Sequence, residues 1–243
     1  MRRAIAFTGY ELLRSFRNTR FFIFTLVFPL ILFYTVAGSN RHAELGGVKF
    51  PVYYMVGMAS WGAMTAVMSG GARISLERSA GWTRQMRITP LSTSVYFGSK
   101  VVAGYLMAIV SLILLFGAGI SLGVRLSAAQ WLEATGLLLV GLIPFVIMGI
   151  LLGHLLSADS MGPALGGVVG VFALLGGAWG PLGQTGTLHR IVVNIPSYWL
   201  VQAGHVALGS GAWPLRGWVV IAVWTLVILR LTVVIYRRDT AKI

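Results

Sequence analysis

The sequence contains no cysteine, which excludes disulfide bonds, thiol catalysis and cysteine-ligated metal sites. It also contains no phosphate-binding loop of the form G-x-x-x-x-G-K-S/T, so ATP binding of the usual P-loop kind is not expected. Serines and acidic residues form no recognisable nucleophile pattern. Four histidines are scattered without the spacing of a metal site: His42, His154, His189 and His205. We therefore expect a chain that is not an enzyme and that binds no metal or other cofactor itself.

Charged residues are scarce, and acidic residues are scarcer still. Only 10% of the 243 residues are charged, and 6 acidic residues stand against 19 basic ones, which gives a net charge of +13. Apolar residues make up 57% of the chain and the mean hydropathy is +0.83, a composition that excludes an ordinary soluble domain. The positive charge lies at the termini and between apolar runs, so it favours a membrane protein over a protein that binds nucleic acid.

Six apolar runs are long enough to cross a bilayer as helices: 21–38, 50–72, 101–124, 134–156, 161–182 and 218–236. Prolines inside the first and fourth runs, Pro29 and Pro144, predict kinks. No run contains an acidic residue, which argues against an ion-coupled carrier. The fold class is therefore predicted to be an all-α polytopic membrane protein with six transmembrane helices.

Basic residues between and beyond the six runs fall mostly on one side of the membrane. That side collects Arg2, Arg3, Arg14, Arg17, Arg20, Arg73, Arg78, Arg84, Arg87, Lys100, Arg237, Arg238 and Lys242. The other side collects only Arg41, Lys49, Arg125, Arg190 and Arg216. Because cytoplasmic loops are enriched in lysine and arginine, this asymmetry predicts a multi-pass protein with both termini in the cytoplasm.

Two further segments are predicted to lie at the membrane without crossing it. In residues 1–20 the apolar side chains of Ile5, Leu12, Leu13 and Phe16 gather on one helical face, opposite Glu11, which predicts an amphipathic interfacial helix rather than an irregular basic tail. The interval 183–217 is too apolar for an extracellular loop, and a central proline divides it into pieces too short to span. It is predicted to form an extracellular re-entrant hairpin of two short helices.

The fifth run, 161–182, is rich in glycine. Gly162, Gly166 and Gly170 recur at four-residue intervals, and Gly177 follows in a further cluster. Small residues at this spacing allow two helices to pack closely in lipid. Three partners for this face stay open: a helix of the same chain, a second subunit, or the lining of a transport pathway.

The loop 73–100 is the longest polar interval in the first two thirds of the chain. Trp82 and Met86 are four residues apart, so a helix would place both on one side and Arg84 and Arg87 on the other. This pattern predicts a short amphipathic helix that ends before Pro90. The next helix is predicted to begin with Ser92 or Ser94 as its cap.

This loop resembles a known segment. The order Glu77, Gly81, Thr89-Pro90-Leu91-Ser92, Gly98 and Lys100, at the opening of a membrane helix, is similar to the segment after the second span of type-2 ATP-binding-cassette (ABC) export permeases. In that family the segment includes the coupling helix, which docks in a cleft of a separate ATPase subunit. The resemblance implies a set of docking residues: Glu77, Gly81, Trp82, Arg84, Met86, Arg87 and Pro90.

The resemblance also implies how the rest of the chain is used. The helix in 1–20 corresponds to a connecting helix on the inner membrane surface, and the hairpin in 183–217, with Pro196 and Trp199, corresponds to part of an outer gate. ATP and magnesium are expected on the partner ATPase. The expected assembly is a homodimer of permeases with two ATPase copies in the bacterial inner (cytoplasmic) membrane.

The expected function is export of a hydrophobic or amphiphilic compound such as a drug or antibiotic, which would contribute to multidrug resistance. An exporter of polysaccharide, teichoic acid or a lipid-linked substrate is the near alternative. A channel or carrier that works without ATP is disfavoured because the spans lack acids. A membrane-embedded enzyme is disfavoured because no polar catalytic cluster lies within the spans.

Overall fold

The computed structural model describes residues 2–17, 23–45, 47–81, 92–183, 185–206, 209 and 212–240. The α-helices in these ranges are α1 (Arg2–Phe16), α2 (Phe28–Leu32), α3 (Phe50–Ser79), α4 (Thr93–Ser121), α5 (Ala128–Gly141), α6 (Ile143–Leu155), α7 (Ala158–Gly176), α8 (Gly186–Val192), α9 (Pro196–His205) and α10 (Leu215–Thr240). Two π-helical segments, Ile23–Val27 and Phe33–Ala37, flank α2. A short antiparallel hairpin of β1 (Glu44–Leu45) and β2 (Val48–Lys49) precedes α3.

Helix α3 lies at the centre of the fold and packs against α4, α6, α7 and α9. Its contact with α6 is especially close, because a Cβ added at Gly71 would overlap the backbone of Gly149, and one added at Gly153 would overlap the backbone of Gly71. Glycines let two helix backbones approach in lipid, where van der Waals contact drives packing. The four-residue spacing of Gly149 and Gly153 is a sequence signal for this contact that our sequence analysis missed.

Both predicted proline disruptions are present. Pro29 lies in α2 between the two π-helical segments, as expected where proline removes a hydrogen-bond donor from the helical ladder. The fourth apolar run is divided into α5 and α6 at Leu142, and Pro144 occupies the first turn of α6.

Four helical segments are long and apolar enough to cross a membrane: Thr93–Ser121, Ala128–Leu155, Ala158–Gly176 and Leu215–Arg238. The helical stretch Thr25–Ala37 is apolar but shorter. Helix α3 has 30 residues, but it is not among these four segments. The prediction of a mostly helical membrane protein is confirmed, whereas the count of six crossings stays a prediction.

The interval 183–217 contains two short helices, α8 and α9, with Pro196 at the start of the second. Helix α9 is largely buried and packs against α5, α7, α3 and α10. The indole Nε1 of Trp199 donates to the carbonyl oxygen of Val193 at 2.8 Å, which fixes the turn between α8 and α9. Helix α9 is therefore part of the helical core, whereas most of α8 is exposed. Re-entry of this hairpin into the membrane stays a prediction.

Candidate functional site at the two ends of the loop 80–92

Three helices meet beside residues 80–92, which connect α3 to α4 and form the middle of the loop 73–100 that carries the resemblance. We call this connection the loop 80–92. Helix α3 ends at Ser79, and Gly81 follows with a φ of +71°, a conformation that favours glycine and turns the chain away from the helix axis. Helix α4 begins after Ser92, whose hydroxyl accepts the amide of Val95 at 3.4 Å. The predicted serine cap is thus Ser92. Helix α1 packs across the start of α4.

A cluster of charged side chains joins these three helices. One carboxylate oxygen of Glu77 on α3 accepts from Lys100 Nζ at 2.5 Å and from Arg14 Nη1 at 2.9 Å. The other accepts from the Tyr96 hydroxyl at 2.5 Å. Lys100 Nζ also lies 2.9 Å from a carboxylate oxygen of Glu11 on α1. Lys100 therefore holds one acid from α1 and one from α3, and it belongs to α4 itself.

The cluster is almost completely shielded from solvent. Glu11 and Lys100 are each 2% exposed and Glu77 is 4% exposed. Arg73 is also buried, and its Nη1 lies 3.5 Å from the backbone oxygen of Glu11. Charges removed from water must be paired and hydrogen-bonded, because an uncompensated buried charge is strongly unfavourable. The arrangement therefore fixes α1 against both ends of the loop.

A second set of contacts joins the end of α3 to α6, and α6 to α4 and α10. Arg78 Nη1 donates to the carbonyl oxygens of Gly153 and His154, at 3.2 and 2.6 Å. These are among the last carbonyls of α6, which lack partners within the helix, so a cation there is favourable. The His154 ring lies against Phe97 of α4 and Tyr236 of α10, with ring centroids 5.7 and 5.6 Å apart. The end of α3 is thus tied to the end of α6, which in turn contacts α4 and α10 through His154.

Glu77 is one of the residues that the resemblance implies for docking of an ATPase, and that role stays a prediction. In the described chain its carboxylate is buried, and Arg14, Tyr96 and Lys100 donate to its two oxygens. Gly81, another predicted docking residue, follows the end of α3. The remaining five lie outside the described residues: Trp82, Arg84, Met86, Arg87 and Pro90.

Sequence analysis did not find Glu11 as a partner of this cluster. The helical pattern placed Glu11 opposite the apolar face of α1, and that position was interpreted as a polar surface. The pairing of Glu11 with Lys100 depends on how distant helices pack, which no local pattern records. The one available signal is that Glu11 is the single acid in a strongly basic segment.

The remaining predicted site residues lie away from the cluster. A Cβ added at Gly162, Gly166 or Gly170 would meet nothing within 4 Å, so these glycines do not pack against another described helix of this chain. Gly177 ends α7 in a left-handed conformation with a φ of +76°. Pro196 and Trp199 are buried in α9.

Within the described ranges, no three residues among histidine, aspartate and glutamate cluster as metal ligands. The described contacts of the site are ion pairs and hydrogen bonds between helices.

Comparison with known proteins gives one informative similarity. No family model matches the chain, and no solved structure matches it. The chain is 27% identical over 209 residues to YvfS of Bacillus subtilis (strain 168), which carries the provisional description of a transport permease, and the similarity covers 84% of this chain and 82% of that protein. This similarity to a transport permease agrees with the resemblance of the loop to the type-2 ABC export permeases.

Proposed function

We propose that the chain is the membrane subunit of an ABC exporter, which forms the transport pathway as a homodimer and is driven by two copies of a separate ATPase. The observation that supports this proposal most strongly is the buried cluster of Glu11, Glu77 and Lys100, which joins three helices at the two ends of the loop 80–92.

The cluster suggests how movement of the loop reaches the membrane. Because α3 enters the loop and α4 leaves it, a partner that displaces the loop acts on both helices together. The ion pair between Lys100 Nζ and Glu77 Oε1, at 2.5 Å, holds the two helix ends together. The contact of Lys100 with Glu11 adds α1 to the same unit. Helix α3 then carries the movement to α6 through their glycine contact. The proposed coupling element is thus a rigid group of α1, α3 and α4.

The open glycine face of α7 supports a homodimer. Gly162, Gly166 and Gly170 have space beside them in the single chain, and only a small share of α7 is buried. Glycines at four-residue spacing are typical of close helix contacts in lipid. We propose that a second copy packs near this face, in a six-span arrangement with both termini in the cytoplasm of a bacterial inner membrane.

The proposed substrate is a hydrophobic or amphiphilic compound such as a drug or antibiotic. Charged residues are a small minority within the four candidate crossings, and the exposed side chains of α7 and α10 are mainly apolar. Such a surface is compatible with an apolar solute and unfavourable for a strongly charged one, because polar groups in lipid need partners.

Co-purification tests the proposed partnership. A tagged copy of the chain, purified from its own cells in mild detergent, is expected to retain an ATPase subunit of the ABC class and to show ATP hydrolysis. Chemical crosslinking before solubilisation should give a species with two permeases. Recovery of the chain without any ATPase, both with and without crosslinking, would contradict the proposal.

A further inference from the structure

Helix α1 has an inner face that is already occupied. At about 100° per residue, Phe7, Glu11 and Ser15 lie on one side of the helix. Glu11 and Ser15 are buried, and the ring centroids of Phe7 and Tyr96 lie 6.4 Å apart. This face is held by the rest of the chain, so any other interaction of α1 must use its outer side.

The outer side of α1 is apolar and exposed. Leu13 is 56% exposed and Phe16 is 47% exposed, and both lie opposite Glu11 on the helix. Tyr10, at the edge of this sector, is 60% exposed. Large apolar side chains gathered on one exposed face typically mark contact with a membrane or another protein.

A basic edge lies beside this apolar sector. Arg14 and Arg17 are three residues apart, so they project from the same flank of α1. The side chain of Arg14 is 43% exposed, and Arg17 is exposed as well. A helix with an apolar face and an adjoining row of arginines suits the boundary of a bilayer that contains anionic lipids.

We propose that the outer side of α1 binds the headgroups of anionic phospholipids, with Leu13 and Phe16 toward the acyl chains and Arg14 and Arg17 toward the phosphates. The guanidinium of Arg14 also lies 2.9 Å from Glu77, so it connects the headgroup layer with the buried cluster. An ATPase surface is the competing occupant. Lipid is favoured because α1 leads within a few residues into the first apolar run. The proposal does not depend on the ATPase partnership.

Lipid-selective quenching tests this contact in the full-length chain. Because the sequence has no cysteine, Leu13→Cys provides a unique position for a bimane label. The labelled protein is reconstituted in phosphatidylcholine vesicles. Quenching is then compared between phosphatidylglycerol and phosphatidylcholine that carry the same acyl-chain nitroxide at equal mole fraction. If Leu13→Cys does not fold, Tyr10→Cys offers a second labelling position on the same side.

Phosphatidylglycerol is expected to associate at least about fivefold more strongly than phosphatidylcholine, since each arginine near an anionic surface contributes roughly that factor. Arg17→Gln should lower the preference about fivefold. Arg41→Gln, at an exposed position in the turn before β1, should leave it unchanged. Equal quenching by the two lipids would overturn the proposal. Absence of quenching by either lipid would overturn it too, because α1 would then lie away from the bilayer.

Discussion

Replacing Lys100 with methionine should release α1 from the ends of α3 and α4. Methionine keeps most of the volume of the lysine stem but removes the ammonium group that lies 2.5 Å from Glu77 and 2.9 Å from Glu11. Loss of one partner from a buried ion pair destabilises by about 3–5 kcal/mol, because the other charge is left without compensation. Glu77 keeps contacts with Arg14 and Tyr96, so we expect the lower end, about 3 kcal/mol.

Thiol labelling on the inner face of α1 measures this release. Ser15 is 4% exposed, and Ser15→Cys would be the single cysteine in the chain. At about 1.4 kcal/mol per tenfold, the open population of α1 should rise about 100-fold in Lys100→Met, and the labelling rate should rise with it. The neighbouring helices should keep their content of secondary structure, because the variant acts on the contact between α1 and the loop ends.

Two comparisons separate the ion-pair effect from a general loss of stability. Lys49→Met, at an exposed position on β2, should label at the rate of the parent. The double variant Glu11→Gln with Lys100→Met should label more slowly than Lys100→Met alone, since fewer buried charges are left unpaired. If Lys100→Met labels no faster than the parent, the cluster does not hold α1 in place and the reasoning is refuted.

Further predictions concern helix packing, capping and topology. Gly149→Val should destabilise the chain by at least about 3 kcal/mol, because the new side chain overlaps the backbone of α3. Gly166→Leu should leave the monomer folded and reduce dimer content. Both variants can be followed by size-exclusion chromatography in detergent. Equal dimer content in Gly166→Leu and in the parent would remove the support for packing at α7. Arg78→Met should lower the free energy of unfolding by about 2 kcal/mol, as expected for lost hydrogen bonds from a charged donor, and an unchanged midpoint of thermal unfolding would contradict its capping role. Cysteines at Leu188 and Gly211 should both react with an impermeant thiol reagent from outside the cell, and reaction only from the cytoplasm would require another topology.

Features that depend on local sequence could be predicted, whereas those that depend on distant contacts could not. The helix at the N-terminus, the breaks at Pro29 and Pro144 and the Ser92 cap follow from the periodicity and chemistry of neighbouring residues. The pairing of Glu11 with Lys100 joins helices far apart in the chain, so no spacing rule indicates it. Burial of the cluster could not be foreseen for the same reason.

For the glycines too, the spacing could be read from the sequence, but the helix that they contact could not. Four-residue spacing identified a close-packing motif in the fifth run. In the described structure α3 and α6 pack closely through glycines, and Gly176, the last residue of α7 in the fifth run, packs against the backbone of Ser197 in α9. Gly162, Gly166 and Gly170 face away from the described helices of their own chain. Spacing indicates that a face can approach a partner closely, and only the packed fold shows whether that partner belongs to the same chain.

Docking of the loop should depend on Trp82, whose large aromatic side chain is the proposed anchor in the ATPase cleft. Truncation of such an anchor typically weakens binding by about 2 kcal/mol or more, roughly a 30-fold loss of affinity. Trp82→Ala should therefore recover less ATPase on purification while its membrane insertion stays normal. Normal ATPase recovery by Trp82→Ala would contradict this role and would indicate instead that Trp82 anchors the loop at the lipid headgroups.

Transport by the reconstituted chain tests the central claim most directly. The chain and its co-purified ATPase are placed in vesicles, and accumulation of an amphiphilic fluorescent dye is measured with ATP and magnesium supplied on the ATPase side. The account predicts that dye uptake requires both ATP and the ATPase. Vesicles that contain the chain without the ATPase should therefore take up no dye. Uptake at the same rate without ATP, or by the chain in the absence of any ATPase, would contradict it.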